Sequence, residues 1–230
     1  MRMLMVSAAL MVGLAGAASA QDGRLAVMGE GVVSVEPDVA VVRMGVVADG
    51  NTPDAAVSGM SDALAPVLVG LIDDGIEARD IQTGTLSLRP VYADRSQVQT
   101  DEGPRITGYR AESSLTVTVR ELDGLGAVLS RAVSAGGNTF DGLSWELSDP
   151  QAAEDAALAA AVADAARKAA LMSGAAGVGL GAIVELREGG AQMSPRPQMM
   201  EARMASDVPV ARGSLDVQAS VSVVYEIEEQ

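Results

Sequence analysis

The residues best able to bind a soft metal ion are four methionines near the end of the chain. They are Met193, Met199, Met200 and Met204, all within a stretch of twelve residues. Thioether sulfur suits Cu(I), so the spacing admits a copper site. The alternative is that these flexible side chains pack a long loop against the protein or a second subunit. Copper-binding methionine tracts usually have histidine nearby. This chain has none, so we favour packing and keep the four methionines as the candidate metal ligands.

Adjacent acidic residues are the second group with chemical potential. Glycoside hydrolysis needs two carboxylates that face each other across a cleft, about 5 to 10 Å apart. Neighbours in sequence do not meet that need, and one Trp, three Tyr and one Phe leave few aromatic rings to line a sugar cleft. We expect solvated surface at each pair and keep a carboxylate-dependent hydrolase as an alternative. The pairs are Asp73-Asp74, Asp101-Glu102, Glu154-Asp155 and the run 226–229.

Several other reactive groups are absent from the composition. The chain has no histidine and no cysteine, and Lys168 is its one lysine. A Ser-His-Asp triad, a catalytic thiol and the common zinc sites therefore cannot be built. Gly29-Glu30-Gly31 lacks the third glycine and the following helix of a dinucleotide fingerprint, so it predicts a bulge or a close backbone approach. The sequence predicts no catalytic residue and no cofactor, and hence a protein that is not an enzyme.

The first twenty residues have the pattern of a secretory signal peptide. Arg2 is positive, residues 4–17 are uncharged and apolar, and Ala18 and Ala20 are the small residues of a cleavage site before Gln21. The apolar run is shorter than the roughly 20 residues that span a bilayer. We therefore expect a leader over residues 1–20 and an exported, periplasmic domain over residues 21–230. Association with the outer membrane and binding of a small molecule stay open.

The charge of the chain limits its partners. Sixteen basic against thirty-one acidic residues give a formal charge of −15. Such a chain repels phosphate, so we expect no nucleic-acid partner. Solubility is sufficient to explain the acidity.

Hydrophobic periodicity predicts alternating strands and helices. This order favours an α+β fold with a largely antiparallel mixed sheet and helices on one face. Thr52 and Pro53 have the pattern of a helix start, and Pro66 predicts a kink or break in that helix. Strands are expected over residues 25–47 with a kink at Pro37, and over 81–88, 109–119, 139–147, 183–186 and 215–227. Helices are expected from residue 53, over 122–133 and over 151–176.

Three further expectations concern packing and surface. The inner stripe of the alanine-rich helix 151–176 is predicted as Leu158, Val162, Ala165, Ala169 and Met172. Trp145, the one tryptophan, is expected in the core. Residues 189–212 are expected to form a loop. Its segment from Gln192 to Met204 and the hairpin tip from Asp94 to Arg105 are the predicted contact surfaces, because both are long and irregular.

Three segments carry a resemblance to a known family. Residues 27–46 read V-M-G-E-G-V-V-S-V-E-P-D-V-A-V-V-R-M-G-V. Residues 144–186 begin S-W-E-L-S-D-P-Q-A-A-E-D, and residues 208–227 read V-P-V-A-R-G-S-L-D-V-Q-A-S-V-S-V-V-Y-E-I. In this order they resemble the SIMPL-domain family, also called DUF541, which includes periplasmic immunogenic proteins and oxidative-stress-defence proteins. Arg212 stands where that family commonly has proline, and alanines replace charged residues along the long helix.

The resemblance implies an envelope protein whose fold has two β-α-containing parts. It also implies a protein that forms homo-oligomers, has no established reaction and is linked to oxidative stress. It brings no catalytic residues to this chain. The favoured interpretation is a periplasmic, non-enzymatic, homo-oligomeric assembly or binding module. The alternatives are a methionine-loop protein that binds Cu(I) or scavenges oxidants as sulfoxides, and the carboxylate-dependent hydrolase.

Overall fold

The computed structural model describes residues 23–93, 105–196 and 210–228. The predicted leader and its cleavage residues Ala18, Ala20 and Gln21 lie outside these ranges. Along the chain the elements are β1 (Arg24–Val35), β2 (Val39–Gly50), α1 (Pro53–Asp73), β3 (Ile81–Tyr92), β4 (Ile106–Val119), α2 (Leu125–Ser134), β5 (Thr139–Glu146), α3 (Gln151–Ala176), β6 (Gly179–Arg196) and β7 (Ser214–Glu228).

The seven strands divide between two antiparallel sheets. One sheet has the order β1-β7-β6 and the other has the order β3-β4-β2-β5. Every described strand pair runs antiparallel. The predicted α+β class with two β-α-containing parts is therefore confirmed, and each part has its own sheet with its own helical cover.

The four-stranded sheet packs against α1 and α2. The side chains of Val42, Leu115, Val117 and Leu125 are fully buried in this core, and Trp145 is half-buried against it. Alternation along β4 explains the arrangement, because every second residue from Ala111 to Val119 is buried. The predicted half-buried strand is thus confirmed and begins three residues earlier than expected.

Helix α1 begins as the sequence predicts and continues past its proline. The Thr52 side chain accepts a hydrogen bond from the backbone N–H of Ala55 at 3.2 Å, and Pro53 is the first helical residue. No break occurs at Pro66, whose exposed position leaves water free to hydrogen-bond the carbonyl group that loses its donor. Within the described residues α1 alone is long and apolar enough to cross a membrane. Its inner residues, including Val67 and Leu71, are nevertheless buried against the sheet.

Helix α3 packs on the three-stranded sheet through alanines. Ala157, Ala161, Ala165 and Ala169 are fully buried in contact with the sheet. Two of the residues predicted for the inner stripe, Ala165 and Ala169, are confirmed, and Leu158 is half-buried. Val162 and Met172 were predicted wrongly, because their side chains are 39% and 48% exposed.

Glycines in β1 explain why the stripe is made of alanine. A Cβ at Gly29 would lie 2.7 Å from the backbone nitrogen of Ala165, and one at Gly31 would lie 2.5 Å from the nitrogen of Ala161. Each would lie closer still to a carbonyl oxygen of α3. The helix backbone therefore rests almost directly on the strand, and the gap has no room for a side chain larger than a methyl group. The predicted close backbone approach at Gly29-Glu30-Gly31 is confirmed.

One carboxylate joins the two places where the chain crosses between the sheets. Asp38, between β1 and β2, accepts hydrogen bonds from the backbone N–H and the hydroxyl of Ser148, both at 2.7 Å. Ser148 lies between β5 and α3. Its hydroxyl is the main cause that lowers the pKa of Asp38 below its usual range, against the opposing effect of burial. Asp38 therefore holds the two crossings together.

Candidate functional site

The outer strands of the three-stranded sheet have different surroundings. An outer strand presents unpaired backbone N–H and C=O groups, which are a template for pairing with another chain. Strand β1 pairs with β7 along its inner side, and its outer side meets two side chains of α3. Strand β6 also pairs with β7. We consider the two edges in turn.

The edge of β1 is closed by an ion pair from α3. Asp164 accepts a hydrogen bond from the backbone N–H of Glu30 at 3.1 Å, and the Lys168 ammonium donates one to the carbonyl oxygen of Met28 at 2.9 Å. The Lys168 ammonium and the Asp164 carboxylate are 2.7 Å apart, and their spacing of four residues on the helix is one at which opposite charges attract. Together they bind one N–H and one C=O group in the middle of β1, which a neighbouring strand would otherwise need.

The electrostatics of this pair favour the charged forms. Lys168 and then Arg167 hydrogen-bond the Asp164 carboxylate, and with the Glu30 backbone N–H they hold the pKa of Asp164 well below its usual range. The carboxylate is thus ionised throughout the physiological range. The side of α3 that carries Asp164 and Lys168 thus lies over the edge of β1.

The edge of β6 carries apolar side chains with little cover. Ile183, Leu186 and Met193 pair with Tyr225, Val223 and Val217 of β7. Those three partners are buried beneath α3, and directly paired residues of antiparallel strands point to the same face. The β6 residues therefore point to the helix-bearing face, yet they are 54%, 55% and 37% exposed. We call these three residues the β6 apolar strip.

The position of α3 explains this exposure. The helix packs mainly over β1 and β7, where the glycines let it approach, and it extends little over β6. Val162, on the same helix, is also exposed. Exposed apolar side chains consequently lie along the outer strand, with the charged Glu188 between Leu186 and Met193 on the same face. Grouped exposed apolar side chains are a feature of contact sites.

The predicted loop over residues 189–212 is wrong in its first part. Strand β6 continues to Arg196, because residues 191–196 pair with residues 214–219 of β7. Met193 therefore lies in a strand and not in a loop. Met199, Met200 and Met204 lie outside the described residues, as does the hairpin tip from Asp94 apart from Arg105. Among the described residues no group of three or more His, Cys, Asp or Glu side chains is placed to hold a metal ion.

A cleft in the four-stranded half gathers acidic and basic groups. Its volume is about 220 Å³, and its lining includes Asp74, Asp80, Arg120 and Arg131. The guanidinium of Arg120 donates two hydrogen bonds to Asp80, at 2.8 and 2.9 Å, and Arg131 pairs with Asp74 at 2.6 Å. Arg120 is the main cause that lowers the pKa of Asp80. A glycosidase acid needs a raised pKa, so this pairing opposes that role.

The acidic pairs predicted from the sequence are divided among several environments. Asp74 is half-buried in its ion pair, whereas its neighbour Asp73 is exposed. Asp155 is exposed and Glu154 is half-buried near the start of α3. Asp101 and Glu102 lie outside the described residues.

Sequence reasoning missed the β6 edge as a candidate surface. Residues 183–188 read I-V-E-L-R-E. Two apolar residues come first, and an acidic and a basic residue then stand on either side of a leucine. Only residues 183–186 were predicted as strand, because Gly189-Gly190 and Pro195 predict a turn or loop. The structure accommodates the glycines at a register shift between Glu188 and Ala191, and the strand continues beyond it. The alternating charges around Leu186 were the available signal. They indicate a contact surface only if this strand lies at the edge of its sheet, which the sequence does not reveal.

Comparison with known proteins gives a family over almost the whole described chain. Residues 25–225 match the SIMPL family, described as a protein of unknown function (DUF541). The 26 kDa periplasmic immunogenic protein of Brucella melitensis is 36% identical over 215 residues, covering 90% of this chain and 86% of the relative. The uncharacterized protein YggE of Edwardsiella ictaluri is 29% identical over 233 residues, covering 98% and 92%. YggE of Escherichia coli K12 is 26% identical over 239 residues, covering 99% and 95%.

Proposed function

The chain belongs to the SIMPL family, and from that membership we propose that it is a non-enzymatic module of the cell envelope that works in the periplasm and assembles with copies of itself. The observation that carries the assembly is the β6 apolar strip on an outer strand. The family itself is described as having unknown function. The proposal therefore depends on the surfaces that this chain presents.

Two observations support the periplasmic location. The Brucella melitensis relative is named as a periplasmic protein, and it aligns over most of both chains. The first twenty residues of this chain have the charge, apolar run and small residues of an export signal. The absence of cysteine is compatible with an oxidising compartment, since no thiol is at risk there.

Composition and ion pairing support a role without catalysis. The chain has no histidine or cysteine to act as a base or nucleophile near neutral pH. In the charged cleft, Asp80 and Asp74 are each bound by an arginine. Arg120 lowers the pKa of Asp80, which makes that carboxylate a poor proton donor. The cleft is better explained as a structural network that ties the end of α1 to α2 and β4.

Exposed methionines extend the proposal to oxidative stress. Met28 and Met172 are exposed in addition to Met193, whereas Met44 and Met60 are buried in the core. Oxidants reach thioethers at the surface and convert them to sulfoxides, so the assembled module would take up oxidant at these positions. Mass spectrometry after peroxide treatment checks this part: sulfoxide at Met44 and Met60 before Met28 and Met172 would contradict it.

Light scattering coupled to size exclusion tests the assembly. At micromolar concentration we expect the purified protein to elute with a mass that is a multiple of the 23.4 kDa chain, or of the shorter chain after cleavage of the leader. The physical reason is that apolar area left on β6 is covered only when another surface meets it. A mass equal to one chain across the whole concentration range would contradict the proposed function.

A further inference from the structure

The two edges of the three-stranded sheet differ, and the difference identifies the edge of β6 as the candidate interface. Asp164 and Lys168 occupy two of the hydrogen-bonding positions that a strand would take in the middle of β1. Strand β6 is eighteen residues long, and its described pairing is with β7 alone. Of the two edges of this sheet, β6 is therefore the one better able to accept a partner strand.

Two charged residues of β6 flank one residue symmetrically, whereas the next one, Glu188, would face Val184 in the same arrangement. Glu185 and Arg187 flank Leu186, and within one chain they form an ion pair with side chains 42% and 77% exposed. They pair with Val224 and Ser222 of β7, so they lie on the face opposite Leu186. When two such strands run antiparallel with Leu186 opposite Leu186, Glu185 of each copy faces Arg187 of the other. Opposite charges directly across a strand pair stabilise that register.

Strand β3 provides a contrast within the same chain. It is also an outer strand, and Leu86 and Leu88 on it are exposed. A symmetric pairing about Leu88 would place Ser87 opposite Arg89, which offers no pair of opposite charges. Arg89 is moreover bound at 2.7 Å by Glu112 of its own sheet. Charge self-complementarity therefore distinguishes β6 from β3.

We propose that β6 of one copy pairs antiparallel with β6 of a second copy about a two-fold axis at Leu186. This inference rests on the proposed self-assembly and identifies the surface that carries it. The pairing joins two three-stranded sheets into one of six strands. It brings the two β6 apolar strips side by side, on the part of the helix-bearing face that α3 does not cover. Two acidic chains repel each other overall, so the locally neutral Glu185 and Arg187 pairs favour this register over others.

Charge reversal at two positions tests the pairing. In Arg187→Glu, residue 185 of each copy faces an acidic residue 187, and in Glu185→Arg two basic residues face each other. We expect either variant alone to dissociate at about tenfold or more higher concentration than the wild type, because like charges oppose each other twice across the axis. Light scattering over a dilution series measures the change. Arg79→Glu is the control, since Arg79 forms an equally exposed pair with Glu77 at 2.9 Å in the other half of the protein.

Mixing the two variants separates an effect between chains from a local one. In a mixed dimer, the two acidic side chains of the Arg187→Glu copy face the two basic side chains of the Glu185→Arg copy, so we expect association to return to the wild-type level. Each chain still carries two like charges on its own strand, so damage to β6 itself would not be repaired. Variants that keep the wild-type mass, or a mixture that stays dissociated, would overturn the β6 pairing. A wild type that is monomeric throughout would instead overturn the proposed function.

Discussion

Replacing Gly31 with alanine should destabilise the protein by about 3 kcal/mol, although it adds a single methyl group. The new Cβ would lie 2.5 Å from the backbone nitrogen of Ala161 and 2.9 Å from the Cβ of Ala160, and nearer still to the carbonyl oxygen of Ala157. Backbone atoms of a helix cannot rotate away as a side-chain end can. Helix α3 would have to lift, which would expose the alanine stripe and its partners Val217 and Val221 on β7. Urea unfolding followed by circular dichroism measures the loss.

The same substitution elsewhere in this half of the protein should have the opposite sign. Gly174 lies inside α3, and a Cβ there would meet nothing within 4 Å beyond the adjacent turns of its own helix. Gly174→Ala should therefore stabilise the protein by up to about 1 kcal/mol, because glycine loses more backbone freedom than alanine in a helix. If Gly31→Ala were as stable as the wild type, α3 would not rest on β1 as described.

The stability that Asp164 contributes should depend on pH in a defined direction. Its pKa is held well below the usual range in the folded protein by Lys168, Arg167 and the Glu30 backbone N–H. In the unfolded chain an aspartate has a pKa of about 3.9. A lowered folded pKa stabilises the fold at any pH above the unfolded value, and the contribution is lost as the pH falls from about 4 through the folded pKa.

Asp164→Asn should therefore lower the denaturation midpoint at neutral pH and lose less stability than the wild type on acidification. The asparagine side chain can still accept the hydrogen bond from Glu30, so the comparison isolates the charge. Urea midpoints at neutral pH and below pH 4 measure the two effects. Asp155→Asn on the same helix is the control, since Asp155 is exposed and accepts a hydrogen bond from Gln151 of its own helix. Parallel pH profiles for wild type and Asp164→Asn would contradict the role given to Asp164.

Local signals in the sequence were sufficient for the elements and their class. Thr52 and Pro53 place the start of α1, and alternation places β4 and β7, because caps and period-two patterns act over a few residues. The close backbone approach at the glycine pair in β1 could also be predicted from local sequence, since glycine allows another backbone to approach closely.

The division into two sheets and the identity of the outer strands could not be obtained in this way. They depend on which strand pairs with which across long stretches of chain, as Met193 with Val217 and Val27 with Val223 show. The inner face of α3 was misplaced for a related reason. Larger residues such as Val162 and Met172 normally turn inward, but here Gly29 and Gly31 admit only alanine. The β6 edge became a candidate surface only when the cover over it was known.

If the chain is exported and pairs with a second copy along β6, as we propose, a single cysteine tests the pairing inside the cell. The chain contains no cysteine, so Leu186→Cys introduces one thiol, at the proposed two-fold axis. Directly opposite residues of antiparallel strands have Cα atoms about 4.5 to 5.5 Å apart, within the range of a disulfide, and an exported protein meets an oxidising compartment. The control is Leu171→Cys, because Leu171 is 65% exposed on α3. On a non-reducing gel of whole cells we expect a band of twice the chain mass for Leu186→Cys and a single-chain band for Leu171→Cys. A single-chain band for Leu186→Cys, or equal dimer bands for both variants, would contradict the account.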